Sequence, residues 1–433
     1  MGKLKLTALT QAHLQQIKAI IVVVVVASGR GFYLLATGHA ASLYVSTEAE
    51  SGTLAGGATV QTDTNASNGE YVQFGSVPSG NGTWTPMVGA NAGIGYPCDS
   101  NDAANNFAST YLPGRTGGLD IYGDVGTADD TWYHISNPTP WASERNASGG
   151  NSNIRGDLEF LQAGSNRAVD YTVGMLPIND TPPCPQDPYS SATSYNDDRT
   201  CMQDGANGQF NSYWVALSQD LTNFFQTENG VSTSRVIIRT GWECYGNWYP
   251  WSEYVAGGPT YAEYFRQIVT SMRSVSGANF KFSWNCGTGV DAGDSTHPNT
   301  DTSDAAYPGD AYVDYLDFDA YDVPNFVSTV INGNHGLAWW VNFAAQHGKY
   351  LAFSEWGEQD ETGDDPAYIQ TMYNFFYNPA NRVAYADYHN LQPNGLVNFP
   401  NSAAMYTSLF KGTPQRYVAN RVVENLAKIR NVT

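Results

Sequence analysis

The stretch Arg235–Trp251 constrains this chain more than any other. It opens as Arg-Val-Ile-Ile-Arg-Thr, a short run rich in β-branched residues. That is the pattern of a strand buried on both faces, as in a parallel sheet. It then gives way to Gly-Trp-Glu-Cys-Tyr-Gly-Asn-Trp-Tyr-Pro-Trp, whose glycines, proline and aromatics do not continue a buried strand. Side chains alternate along a strand. Arg239, Gly241 and Glu243 therefore share one face, and Val236, Ile238 and Thr240 the other. A carboxylate at the C-terminal end of such a strand, leading into an aromatic loop, lies where a β/α barrel gathers its working groups.

A second stretch of this kind, Lys349–Gly357, reads Lys-Tyr-Leu-Ala-Phe-Ser-Glu-Trp-Gly and places Glu355 at its end, 112 positions after Glu243. One glutamate at a strand end is commonly a surface or ion-paired residue. Two of them, each followed by a Trp-bearing loop, are the minimal equipment for cleaving a glycosidic bond, one as acid and one as nucleophile or base.

The rest of the chain alternates strand and helix. Strands are expected over Thr85–Ile94, Gly118–Gly126, Ala168–Pro177, the Glu243 segment, Phe280–Asn285, Tyr312–Tyr321, the Glu355 segment and Val383–His389. Helical spacing of apolar residues marks Asn211–Thr227, Tyr261–Val275, Val327–His347, Pro366–Phe376 and Ala403–Phe410. Asn146–Asn153 and Cys184–Cys201 read as loops. Such alternation calls for a parallel sheet. Its length and count favour an α/β fold of the closed (β/α)8 TIM-barrel type, with a short N-terminal β segment. No Gly-x-Gly-x-x-Gly follows a first strand, which argues against a dinucleotide fold. In the sixth strand, an inward Tyr321 brings Asp317 and Asp319 inward as well. Buried acids need partners, and Arg239 is the candidate.

Composition narrows the partner. The chain has 433 residues, and 41 acidic against 21 basic residues give a formal charge of −20. That disfavours nucleic acid and anionic membrane surfaces. The 28 Tyr and 11 Trp residues, among many amide and hydroxyl side chains, suit a neutral polysaccharide, whose C–H faces stack on rings while its hydroxyls hydrogen-bond. A monomer with no cofactor and no metal is expected.

Three regions are expected: 1–41, 42–83 and 84–433. In the first, Lys3, Lys5 and Lys18 precede the apolar run Ala19–Ala27, and Phe32–Ala41 is again apolar. This reads either as a cleaved secretory signal or as an uncleaved membrane anchor. Both place the remainder outside the cytoplasm, secreted or anchored at the cell surface. The five cysteines suit that compartment. Cys184 and Cys201 are placed to close a disulfide. Cys244 and Cys286, each just past a strand end, either pair or stay free beneath the cleft.

From Leu43 to Ser76 the segments Thr-Glu-Ala-Glu-Ser-Gly and Asn-Gly-Glu-Tyr-Val-Gln-Phe resemble the opening of β-sandwich carbohydrate-binding modules. In those modules paired glutamates, here Glu48 and Glu50, help hold calcium. The resemblance ends at the linker Val77–Thr83, so a remnant is expected. From about Thr85 onward the chain resembles glycoside hydrolases of clan A, nearest to family 26, the mannanases and β-glycanases. The residues that carry this are Arg239, Glu243, Gly246, Trp248 and Trp251, then Tyr307-Pro308-Gly309-Asp310 with Asp319 and Tyr321, and Ser354-Glu355-Trp356-Gly357.

The resemblance implies that Glu243 is the general acid/base, Glu355 the nucleophile, Tyr321 a hydrogen-bond donor to that nucleophile, and Trp248 a stacking surface for sugar. It departs at Trp242, where the family has His, and at Tyr245, where it has Asn, which puts the substrate in question more than the chemistry. Tyr122, Asp124, Trp132, Trp242, Tyr245, Trp284, Trp356 and His389 are candidate cleft walls. The expected activity is retaining cleavage of β-1,4-mannan. The alternatives are another clan A β-glycanase acting on β-1,3-xylan or β-glucan, a non-catalytic glycan-binding barrel, and a structural surface protein.

Overall fold

The computed structural model describes residues 59–62, 70–73, 86–91, 100–115, 118–124, 153–176, 195–246, 249–287, 303–391 and 393–411. The chain divides into two units, Met1–Gly82 and Thr83–Thr433. In the first, β1 (Thr59–Thr62) pairs antiparallel with β2 (Glu70–Gln73), Thr59 opposite Gln73. The N-terminal basic-apolar segment and the Glu48–Glu50 calcium position lie outside the described residues. Among the described residues no helix is long and apolar enough to cross a membrane.

The second unit is a closed barrel of eight parallel strands in the order β10-β3-β4-β5-β6-β7-β8-β9. These are β3 (Met87–Asn91), β4 (Ile121–Asp124), β5 (Ala168–Val173), β6 (Val236–Thr240), β7 (Lys281–Asn285), β8 (Tyr315–Tyr321), β9 (Tyr350–Gly357) and β10 (Val383–His389). Closure is completed by β10 pairing with β3, Tyr385 beside Met87 through His389 beside Asn91. All eight expected strands are present. Helices α1 (Ser100–Tyr111), α2 (Asn153–Gln162) and α3 (Tyr195–Ala206) join those the periodicity marks. The last begins inside the segment read as a Cys184–Cys201 loop, where its polar sequence hid it.

Helix α4 (Asn211–Leu221) runs on into a π-helical turn over Thr222–Glu228. A four-residue turn, α5 (Glu253–Ala256), leads into α6 (Gly258–Arg273). Proline stands in the first turn of α6, and its buried side Tyr261, Phe265, Ile268, Val269 and Met272 has the spacing of one apolar face. The single helix expected over Val327–His347 is two pieces, a π turn at Val327–Ile331 and α7 (Leu337–Gln346). A Cβ on Gly333 would lie 2.0 Å from the Thr329 carbonyl oxygen, so the break between the two pieces takes glycine there. Helices α8 (Pro366–Tyr377) and α9 (Pro400–Phe410) follow β9 and β10.

Strand alternation sorts the barrel into layers. At the bottom Met87, Ile121, Ala168, Ile237, Tyr315, Ala352 and Tyr385 form a small apolar plug. Two residues further along the strands come Gly89, Asp170, Arg239, Ser283, Asp317, Ser354 and Asp387, so the middle layer is polar and charged. The opposite faces, among them Val236, Ile238, Phe282, Leu316, Phe318 and Phe353, pack into the larger core beneath the helices.

Strand β9 breaks the alternation. Asp317 and Asp319 of β8 pair with Ala352 and Glu355, and Ala386 and Tyr388 of β10 with Phe353 and Trp356. Both neighbours show one extra residue in β9, a β-bulge. It lets the consecutive residues Ser354 and Glu355 both reach the interior, Ser354 into the charged layer and Glu355 above it.

Candidate active site

The C-terminal ends of β6, β7, β8, β9 and β10 supply one connected cluster. Arg239, 2% exposed, is its hub. One guanidinium nitrogen, Nη2, donates to both carboxylate oxygens of Asp319 at 2.8 Å. The other, Nη1, donates to Glu355 Oε1 at 2.7 Å. Asp317 Oδ2 stands 3.5 Å from Nε. Asp317 and Asp319 thus face inward and meet Arg239, as the spacing of the sixth strand requires. An arginine that touches three carboxylates at full burial stays charged, and those neighbours push its proton affinity up against the cost of burial.

Glu355 is the most exposed of these carboxylates, its side chain 12% accessible. Its second oxygen accepts from the Tyr321 hydroxyl at 2.6 Å, and His389 Nδ1 lies 3.5 Å from that same oxygen. Burial alone would raise its proton affinity, but Arg239, His389 and the Tyr321 hydrogen bond outweigh burial and hold the Glu355 carboxyl down at about 2. Glu355 is therefore a bare carboxylate at neutral and mildly acidic pH. Burial, then the charge of Glu355, push the Tyr321 hydroxyl up, which keeps it a donor. Burial first, helped by Arg239, pushes His389 down, although Glu355 pulls the other way.

Glu243 reaches the cluster differently from the way strand alternation suggests. Strand β6 ends at Thr240, and Gly241 (φ +65°) and Glu243 (φ +51°) both turn into the left-handed region. A Cβ on Gly241 would lie 2.7 Å from the Tyr261 hydroxyl, which donates to the Gly241 carbonyl at 2.8 Å, so only glycine fits there. For glutamate the left-handed conformation costs about 1–3 kcal/mol and persists where the surroundings enforce it. Here they do. The Glu243 N–H donates to Asn285 Oδ1 at 2.7 Å, the Trp242 carbonyl accepts from Trp251 Nε1 at 2.8 Å, and the Cys244 carbonyl accepts from the Glu253 N–H at 2.8 Å. A Cys244–Cys286 disulfide ties the turn to the end of β7. Glu243 and Glu355 share one neighbourhood, since the charges of both act on Asp319 and Tyr321.

Asn285 is the residue the sequence reading missed. Fully buried, it joins the Glu243 backbone to Asp319, to which its Nδ2 donates at 2.9 Å. Its only mark in the sequence is its place at the end of a strand. Below, Asp317 accepts from Ser283 Oγ at 2.6 Å, from the Ser354 N–H at 2.8 Å and from the Phe318 N–H at 2.9 Å. Ser354 Oγ touches Asp170 as well as Asp317.

Three expected cleft walls are packed core instead. Trp284 is 1% exposed and lies edge-on against Trp340 at 5.7 Å. Because Ser283 and Asn285 point inward, Trp284 between them must point out. Trp356 is also 1% exposed and sits among Phe376, Tyr388, Tyr406 and Phe410. Trp242 is 6% exposed and packs on Trp251 and Tyr249. Tyr245 is half-buried, and its ring lies where a Cβ on Gly287 would come within 2.0 Å of it. The backbone of Tyr122 and Asp124 ends β4, and their side chains, like Trp248 and Trp132, lie outside the described residues. Cys201 is disulfide-bonded, and Cys184 also lies outside them. Among the described residues no group of three His, Cys, Asp or Glu side chains is placed to hold a metal ion.

Comparison with known proteins points the same way. Residues 180–382 match the family model of glycosyl hydrolase family 26. A mannan endo-1,4-β-mannosidase of Bifidobacterium adolescentis is 31% identical over 134 residues, which are 29% of this chain and 12% of that protein. The chain therefore matches only a small part of that relative's length. Among solved structures, GH26C from Muricauda sp. MAR_2010_75 aligns with a TM-score of 0.54 at 17% identity, over 78% of this chain and 88% of that one. A modular endo-β-1,4-mannanase from Cellulomonas fimi aligns with a TM-score of 0.52 at 18% identity, over 77% and 74%. These two likenesses are of fold, and they agree with the closed parallel barrel. Over residues 180–382, a little under half of its length, this chain is similar to glycosyl hydrolase family 26.

Proposed function

We propose that this chain is an extracellular, retaining β-glycanase that cleaves β-1,4-mannan. The observation that carries the reading is Glu355. It is a carboxylate pinned by Arg239 and Tyr321 at the C-terminal end of the barrel, with Glu243 on the turn that follows β6. In this reading Glu355 attacks the anomeric carbon, forming a C–O bond as the glycosidic C–O bond breaks. Glu243 delivers its proton to the departing oxygen. Water then enters, Glu243 takes a proton from it, and the new hydroxyl displaces Glu355. Arg239 and the Tyr321 hydroxyl keep Glu355 ionised for the first step and oriented in both.

Mannan as substrate is supported by the mannosidase and mannanase names among the relatives. Trp242, packed away behind Glu243, leaves that turn without the histidine that the family carries before its acid/base. An extracellular site of action is supported by the acidic charge balance, the N-terminal basic-apolar segment and the Cys244–Cys286 disulfide. The test is a panel of β-mannan, β-1,3-xylan and β-glucan with wild type and Glu355→Ala. Release of reducing ends from mannan by wild type alone supports the proposal. Cleavage of another polymer in the panel moves the substrate and keeps the chemistry. Binding with no cleavage by wild type refutes the enzyme reading in favour of a glycan-binding barrel.

A further inference from the structure

The turn bearing Glu243 is fastened from outside by the last residue of β7. Asn285 makes three contacts there. Its Oδ1 accepts from the Glu243 N–H at 2.7 Å. Its own carbonyl accepts from the Cys244 N–H at 3.3 Å. Its Nδ2 donates to Asp319 Oδ1 at 2.9 Å, and Asp319 is the carboxylate that shares Arg239 with Glu355. The residues that follow Glu243 and Asn285 are the two halves of a cystine with Cα atoms 4.7 Å apart.

A carboxamide is the side chain that presents an acceptor and a donor at its two ends at once, and this site uses both. Glu243 holds φ +51°, which a glutamate keeps only under constraint. If its amide loses the acceptor, the turn relaxes and the carboxyl moves with it. We propose that Asn285 is a positioning residue for the acid/base. It fixes, through the Glu243 backbone amide, the point from which the proton is delivered to the leaving oxygen, and it couples that point to the Asp319–Arg239–Glu355 chain. This rests on the reading of Glu243 as acid/base.

The experiment compares kcat/KM for the polysaccharide that wild type cleaves with kcat/KM for the 2,4-dinitrophenyl β-glycoside of the matching oligosaccharide. A sugar alkoxide needs a proton to leave, and dinitrophenolate does not. Displacement of a catalytic group by about 1 Å costs on the order of 100-fold. Asn285→Ala should therefore lose roughly 100-fold on the polysaccharide and less than about 3-fold on the aryl glycoside. Asn285→Asp can serve both contacts only while its carboxyl is protonated. Its polysaccharide activity, as a ratio to wild type, should climb as pH falls.

An equal loss on both substrates, or no loss on either, overturns the proposal. If the alanine variant fails to fold, the aspartate variant decides, and a pH-independent ratio to wild type overturns it. If wild type cleaves none of these substrates, the glycanase reading fails and this proposal falls with it. That outcome differs from an active wild type whose variants show no dependence on the leaving group.

Discussion

Asp170→Asn should gain stability over wild type as pH rises, by about 2 kcal/mol between pH 5 and pH 7. Ser354 Oγ contacts a carboxylate oxygen of Asp170 and one of Asp317, yet a hydroxyl has one proton to give. Asp317 already accepts from Ser283, from two backbone N–H groups and pairs with Arg239, so it is the acceptor of the Ser354 proton. Asp170 must then carry a proton and donate it to Ser354. Its environment agrees: burial first, then the charge of Asp317, push the Asp170 carboxyl up to about 7, against the charge of Arg239.

In the unfolded chain an aspartate titrates near 4. Between the two values the folded state binds a proton that the unfolded state has lost, so stability falls as pH rises. Each unit is worth about 1.4 kcal/mol while the folded carboxyl keeps its proton, and the slope falls to half as pH reaches 7, so the span from pH 5 to pH 7 gives about 2. Asparagine can donate to Ser354 as the protonated acid does, and it does not titrate. Acids beyond the reach of Asp170 act equally in both proteins and cancel in the comparison. The assay is urea unfolding of both proteins at pH 5, 6, 7 and 8. Stability curves that stay parallel across that range would refute the protonated Asp170.

Three further outcomes follow from single contacts. Gly89→Ala should destabilise the barrel by about 3 kcal/mol or more, as overpacking does, because its Cβ would fall 1.5 Å from Asp387 Oδ1 and 2.5 Å from Ile121 Cγ2; thermal unfolding reads it. Asp364→Ala should cost about 1 kcal/mol in the same assay, since Asp364 accepts from the Asn401 and Ser402 N–H groups at 2.9 and 2.8 Å and so caps α9. Tyr321→Phe removes a 2.6 Å hydrogen bond to Glu355. The Glu355 carboxyl, held at about 2, should then rise by roughly 1–2 pH units, and the acid limb of the kcat/KM profile should move to higher pH with it.

How far the sequence could be read depended on whether its side-chain period survived folding. In β8 it did, and Asp317, Asp319 and Tyr321 face inward while Leu316 and Phe318 face the helices. In β6 it held as far as Arg239. Beyond that, Gly241 and Glu243 leave the strand through left-handed conformations, so alternation reached Glu243 by the wrong route. In β9 the bulge sends two consecutive residues inward, and one of them is Glu355. A strict period of two that places Ser354 in the core would turn Glu355 out.

The same period, applied to β7, would have placed Trp284 against the helices once Asn285 was taken as inward. The attraction of tryptophan as a sugar platform hid that. Asn285 escaped notice because its work is a pair of hydrogen bonds to groups 42 residues before and 34 residues after it, which no local pattern records. Helix α2 carries a face of its own, Ile154, Leu158 and Leu161, all buried, whereas α1 and α3 are harder to read. Their sequences, such as Ser-Asn-Asp-Ala-Ala-Asn-Asn-Phe, carry too few apolar residues to show a face.

The most direct test of the central claim follows the first turnovers on the polysaccharide by proton NMR, before the newly formed reducing ends mutarotate. A bare Glu355 working with a protonated Glu243 predicts product first appearing as the β-anomer. It also predicts that a 2-deoxy-2-fluoro glycoside, which slows the second step, leaves its sugar covalently attached to Glu355. Initial formation of the α-anomer, or a trapped sugar on any other residue, would contradict the account.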